Sequence, residues 1–290
     1  MEGNALKDMA PLLIRGASLA RKVSGCALAC CCALLVLLGG CSCGGKTDAA
    51  ALLRDALARS RETATLRAYL QASAQSEDGS GLPSLSVDGT VELDRDMRAL
   101  RLQFDSFMLQ GELRLVGEEL YLEMGGTWYT LPAGRGSEDL YGLVRGLADA
   151  VFSYPDIVAD YTEVKRVGDE KVTGRDCHRL EVSPDLQALA SLEPIREMGG
   201  SLGVPDARLL AELQDMAPAL QVWVDKKDGF IRKMELEIEA DLSQGAVFLG
   251  LLRGRMALQV TAYFEDYGLP LEIEPPAETE PLDPGSIPFL

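Results

Sequence analysis

The chain has 290 residues, and its 28 basic against 45 acidic residues give a formal charge of −17, which argues against nucleic acid as a partner and against broad adhesion to anionic head groups. A single histidine, with only Cys41, Cys43 and Cys177 beyond residue 40, excludes a metal site built on His/Cys clusters and a mechanism needing two imidazoles; no metal or cofactor is expected. At 47% hydrophobic but only 6% aromatic, the chain is long enough for one domain with a real core, built from aliphatic groups.

Arg15, Arg21 and Lys22 precede an apolar run over residues 27–38, and small residues follow it. This order of basic, apolar and small residues is that of a secretory signal, and the run is short for a membrane span. Leu38-Gly39-Gly40-Cys41 resembles the lipobox of bacterial lipoproteins. The resemblance implies a signal peptide over 1–40 and a diacylglyceryl thioether on Cys41, the first residue of the mature chain. Cys43 is a poorer acceptor, because Gly40 rather than an aliphatic residue stands three before it. Cys30, Cys31 and Cys32 read as small apolar residues of the signal, and Met9 is an alternative start. The competing reading makes residues 23–45 an uncleaved transmembrane anchor. Two acyl chains suffice for stable anchoring, at about 0.8 kcal/mol per buried methylene. The expectation is an extracytoplasmic protein, lipid-anchored to the cell membrane. Residues 1–40 hold four basic and two acidic residues, so the mature chain carries 24 against 43, a charge of −19.

Residues 41–47 form a short tether. Asp48 can cap a helix to about residue 62, with Leu52, Leu53, Ala56 and Leu57 on one stripe. The period then changes from 3.6 to 2. Leu66, Ala68, Leu70, Ala72 and Ala74 alternate with polar residues, then Leu85 to Leu93, Leu100 to Phe104, Phe107 to Leu115 and Leu120 to Met124 do the same. Gly125-Gly126 makes a tight hairpin into residues 127–131. Six successive strands with short turns read as an antiparallel meander, apolar on one face and wet on the other.

Helical patterns occupy 137–151, with Leu140, Leu143, Val144, Leu147 and Val151 on one stripe, then 185–198 and, opened by Pro205, 205–216. Between the first two lies a hairpin over 161–182. Strands return at Leu220–Val224, Met234–Leu242 and Met256–Phe264. After Ile273 the chain is rich in Pro and Glu, and 277–290 reads as a disordered acidic tail.

Several stretches carry a resemblance. These are Leu120-Tyr121-Leu122-Glu123 with Thr127-Trp128-Tyr129, then Val172-Thr173-Gly174-Arg175-Asp176-Cys177, then Val222-Trp223-Val224-Asp225 through Ile231-Arg232-Lys233. Phe264-Glu265-Asp266-Tyr267-Gly268 leading to Ile273-Glu274-Pro275-Pro276 completes them. In order and spacing, over roughly residues 50–276, the chain is similar to the LppX and LprG group of bacterial lipoproteins, whose fold is shared with the carrier LolA. The helix at 205–216 has no counterpart in that pattern. The resemblance implies an α+β domain over 48–276, a strongly curved antiparallel half-barrel of about ten strands wrapped around helices and enclosing an apolar cavity for acyl chains.

The patterning independently requires the one-sided sheet to bury its apolar face against the helices. Small side chains on that face either let a helix pack closely or leave a dry void, and the sequence is compatible with both. The residues expected to line a ligand cavity are Leu70, Leu102, Phe104, Leu115, Leu122 and Met124 in the first half, Leu143 and Leu147 on the middle helix, and Val222, Val224, Leu236 and Ile238 in the last third. Phe248, Leu249, Leu251 and Leu252, beside Arg253 and Arg255, form either an entry loop that dips into the membrane or the extension of two core strands. Trp128 and Trp223 read as structural anchors, His178 as a satisfied inward histidine, and Asp225 and Asp228 as an ordinary turn that lacks the further carboxylates of a calcium loop. No Ser, Cys or Asp sits in a nucleophile context. The expected protein is a non-enzymatic, monomeric carrier of a lipid or acylated ligand between envelope layers. The alternative is a regulatory module of the RseB type that binds an envelope partner protein.

Overall fold

A computed structural model describes residues 48–76, 85–106, 110–131, 162–184, 218–241 and 255–282. They form one helix and one open, curved sheet of twelve strands. Helix α1 (Asp48–Glu62) begins where the capping residue places it. Its first turn holds Asp48 and its last Arg59 and Arg61, complementing the macrodipole, and Ala49, Ala50, Leu53 and Ala56 form its buried stripe.

The alternating segments become β1 (Thr65–Ser76), β2 (Leu85–Asp94), β3 (Ala99–Ser106), β4 (Gln110–Val116), β5 (Glu119–Met124) and β6 (Thr127–Leu131), an antiparallel meander. Gly125 and Gly126, at φ of 61° and 85°, supply the left-handed backbone that a two-residue hairpin demands. A second antiparallel meander runs through β7 (Thr162–Val172), β8 (Arg175–Pro184), β9 (Ala219–Asp225), β10 (Ile231–Asp241) and β11 (Arg255–Tyr267). The two join side by side where β1 pairs antiparallel with β11, Leu70 facing Ala262 and Ala72 facing Val260. Register slips at Glu265, Arg232 and Val167 each leave one residue without a cross-strand partner, the kind of bulge that bends a sheet.

Three expectations change. The sheet has twelve strands rather than about ten. The twelfth, β12 (Glu280–Pro281), lies in the stretch read as disordered and pairs parallel with the β6 edge. Its short proline-bearing sequence has no alternation to reveal it, because the pairing uses backbone alone. Arg255 begins β11 instead of ending a loop. The helices expected to be wrapped by the sheet, at 137–151, 185–198 and 205–216, lie outside the described residues, as do Cys41, the entry-loop residues Phe248, Leu249, Leu251 and Leu252, and 283–290. Among the described residues the element that covers the sheet is α1, packed on β7, β9 and β10. None of their helices is long and apolar enough to cross a membrane.

The apolar face as candidate ligand site

Strand pairing converts the period-2 pattern into rows that cross the sheet. One row is leucine throughout: Leu66, Leu93, Leu100, Leu115, Leu120 and Leu131, each facing the next across β1 to β6. The next is Ala68, Val91, Leu102, Leu113, Leu122 and Tyr129, with Phe264 facing Ala68 on the other side. The third runs from Met124 through Gly111, Phe104, Gly89, Leu70, Ala262, Met234 and Val222 to Leu180. The fourth is Ala72, Val260, Leu236, Leu220, Val182 and Val164.

All ten described residues of the expected cavity lining therefore stand on one face. Leu70, Leu115, Leu122, Val222, Val224 and Leu236 are buried in the core. Leu102, Met124 and Ile238 are only partly buried and pack against that core, and Phe104 is likewise only partly buried. The other two, Leu143 and Leu147, fall outside the described residues.

Phe104 lies between two glycines. A Cβ on Gly111 would stand 2.8 Å from the Phe104 ring and 2.6 Å from the Glu123 carbonyl oxygen, and one on Gly89 would stand 2.7 Å from the Gln103 carbonyl oxygen. The ring can lie over Gly111 only because that residue lacks a side chain, while Gly89 is required by the close approach of the Gln103 backbone.

The opposite face is an ion-pair ladder. Arg67 binds Asp266 at 3.0 Å and Glu92 at 2.8 Å; Arg101 binds the other oxygen of Glu92 at 2.7 Å and reaches Glu112 at 3.2 Å, which also pairs with Arg114. The Arg114 guanidinium stacks 4.4 Å from the Trp128 ring. Arg101 and Arg114 also donate to the carbonyls of Glu272 and Glu274, each at 2.8 Å, and so strap the segment after β11 across this face. An open groove of 960 Å³ runs between the strap and Trp128; it is polar and is not the expected apolar cavity.

The β9–β10 turn holds a second cluster. Asp225, 3% exposed, accepts from Arg175 at 2.9 Å, Arg232 at 3.3 Å and the Lys227 N–H at 2.8 Å, and Asp228 pairs with the same two arginines. Burial alone would push the Asp225 carboxyl up, but these donors outweigh it and hold it below its usual value. Arg59 of α1 donates to the Asp228 carbonyl at 2.9 Å, pinning the helix to the turn. The carboxylates serve arginines, and among the described residues no group of His, Cys, Asp and Glu is placed to hold a metal. His178 Nδ1 lies 2.9 Å from Asp169, whose carboxyl is held well below its usual value by His178, Lys226 and Arg166. Trp223 is buried, donating to Glu170 at 3.0 Å, with Lys233 Nζ 4.3 Å from its ring.

No family model matches the chain, and no curated protein does. Solved structures do. The chain is similar to LppX. That lipoprotein, from Mycobacterium tuberculosis, aligns at 12% identity over 79% of this chain and 100% of its own, with a TM-score of 0.43. LprF from Mycobacterium bovis aligns at 13% identity over 79% of this chain and 96% of its own, also at 0.43. MucB, solved in complex with MucA(peri), aligns at 15% over 81% of this chain, with a TM-score of 0.34; the chain spans 62% of MucB.

The ladder, the strap, the α1 clamp and the turn cluster escaped the sequence reading. Their residues were legible as the polar half of each alternation, but which charge meets which depends on register.

Proposed function

We propose that this protein is an extracytoplasmic, membrane-tethered carrier that holds the hydrocarbon of a lipid or acylated ligand against the apolar face of the sheet. The observation that supports this reading is the set of apolar rows crossing one face of the sheet, on which Leu102, Phe104, Met124 and Ile238 are left incompletely covered. A sheet of this width with one oily face gains by covering it, at roughly 25 cal/mol per Å² of apolar surface removed from water. An acyl chain supplies that cover reversibly, and binding and release need no covalent step. Cys41, in its lipobox-like setting, would supply the tether.

Native mass spectrometry of the purified protein after mild extraction tests this. A carrier retains a co-purified amphiphile, released on denaturation and identifiable by its mass. A protein that flies empty, and that takes up no lipid when incubated with vesicles, overturns the proposal and leaves the partner-binding module in its place.

A further inference from the structure

The wet face of the first meander carries a groove that its ion pairs do not fill. In the row next to the Arg67–Arg101–Arg114 row, Tyr69, Thr90, Gln103, Glu112 and Glu123 face one another in turn across β1 to β5, and Glu123 faces Trp128 of β6. The row beyond is Gln71, Asp88, Asp105 and Gln110. Over these rows lies an open groove of 920 Å³, also lined by Gly89, Phe104 and Gly111. At its far end the Gly125-Gly126 turn offers no side chain, and Gly126 lines the groove beneath the strap as well. With strands about 4.8 Å apart, the steps from Tyr69 on β1 to Glu123 on β5 span roughly 19 Å.

Two features of this groove have no evident structural use. Tyr69, 40% exposed, is the exposed aromatic side chain among the described residues. Other rings are engaged: Trp128 takes the Arg114 guanidinium, Trp223 and Tyr263 share Lys233, and Phe230 stacks on Tyr267. Tyr69 makes no ring contact or side-chain hydrogen bond among the described residues. The second feature is Asp88 opposite Asp105, two exposed carboxylates facing across adjacent strands, an arrangement that costs stability. The Gln71 amide donates to Asp88 at 3.2 Å, while Asp105 has no ion pair among the described residues.

A flat ring beside hydroxyl, amide and carboxylate groups suits a ligand that has both apolar C–H faces and many hydroxyls. A sugar ring can lie on Tyr69 while its O–H groups donate to Asp105 and exchange hydrogen bonds with Gln103, Gln110 and Thr90. A strand face is the platform for oligosaccharides in OB-folds too. Acidic sugars do not suit this groove, because the nearest arginines, Arg101 and Arg114, are committed to Glu92, Glu112 and the strap carbonyls. We propose that the groove binds a neutral oligosaccharide, stacked on Tyr69 and hydrogen-bonded by Asp105 and Gln103. The site lies on the face opposite the rows assigned to hydrocarbon, so it goes beyond the carrier reading and does not rest on it.

Affinity electrophoresis of the purified protein decides it, in gels containing hydroxyethylcellulose, galactomannan, soluble starch or dextran, with heparin and a chitosan oligomer as charged controls. A neutral glycan is expected to retard the natural protein, and heparin is expected not to. Tyr69→Ala is expected to weaken that retardation about tenfold, the effect of losing an aromatic anchor. Tyr69→Phe is expected to keep it, since stacking uses the ring. Asp105→Ser is expected to weaken it while melting no lower than the natural protein, because the substitution relieves the facing carboxylates; a merely structural Asp105 would not behave so. Retardation by none of the neutral glycans overturns the proposal, as does retardation that survives both Tyr69→Ala and Asp105→Ser unchanged, or that heparin matches. Binding confined to the chitosan oligomer and abolished by salt overturns it too, marking charge attraction alone. In each of these cases a co-purified lipid in the native mass spectrum leaves the carrier standing.

Discussion

Gly111 and Phe104 show how little room separates a working face from a strained one. The ring occupies the space a Gly111 side chain would need, and the Glu123 carbonyl closes the other direction. Gly111→Ala is therefore expected to destabilise the protein by about 1–3 kcal/mol, the range for overpacking, as read by urea denaturation. Asp225 makes the opposite case, a group whose removal leaves too much behind. Asp225→Asn leaves Arg232, 5% exposed, with Asp228 as its remaining carboxylate partner, and the expected loss at pH 7 is about 1–3 kcal/mol. The folded carboxyl is depressed below its ordinary 3.8, so its contribution is present above that pH and fades as pH falls further. The gap between natural and D225N proteins is thus expected to narrow at pH 3 relative to pH 7; an unchanged gap would assign the loss to packing. Of these residues, the sequence shows Asp225 and Asp228 as a turn and Gly111 as a break in an alternation. The pairing with arginines is invisible there, since Arg175 reaches the turn from β8 and Arg232 from the bulge at the start of β10.

At the scale of elements, the strap and β12 close an edge that would otherwise be bare. β6 is the end of the first meander, and its uncovered backbone is paired by Glu280–Pro281 and by the Leu282 N–H donating to the Thr130 carbonyl at 3.0 Å. Terminating the chain after residue 276 is expected to lower the melting temperature and, more tellingly, to raise concentration-dependent association in light scattering, because an unpaired edge accepts strands from other molecules. An equally monodisperse truncated protein would mean that the strap is ornamental. Helix α1 and most of the longer strands were legible from period and capping, because each buries one face and so must write that face into its sequence; β7, exposed at most positions, reads only as one arm of a hairpin. The two-residue β12 buries almost nothing and writes nothing.

For the whole molecule, alternation predicts a one-sided sheet, and the parity of the expected lining was readable for the same reason: Leu70, Phe104, Met124, Val222 and Leu236 share a face whichever strands pair. What parity does not contain is order. That β1 lies between β2 and β11 is a fact about two segments 199 residues apart at Arg67 and Asp266, and no local pattern encodes it.

The β1–β11 seam has a consequence for how such a chain reaches its compartment. On the proposed extracytoplasmic reading, a chain threaded across a membrane from its N-terminus delivers the first meander with both rims naked, and the strand that seats on the β1 rim arrives almost last. Until then the rim is a template for any stray segment in a crowded translocation exit. Substitutions that slow the β10–β11 hairpin should accordingly surface first as secretion failures needing an escort, in proteins whose finished form melts no earlier than the original.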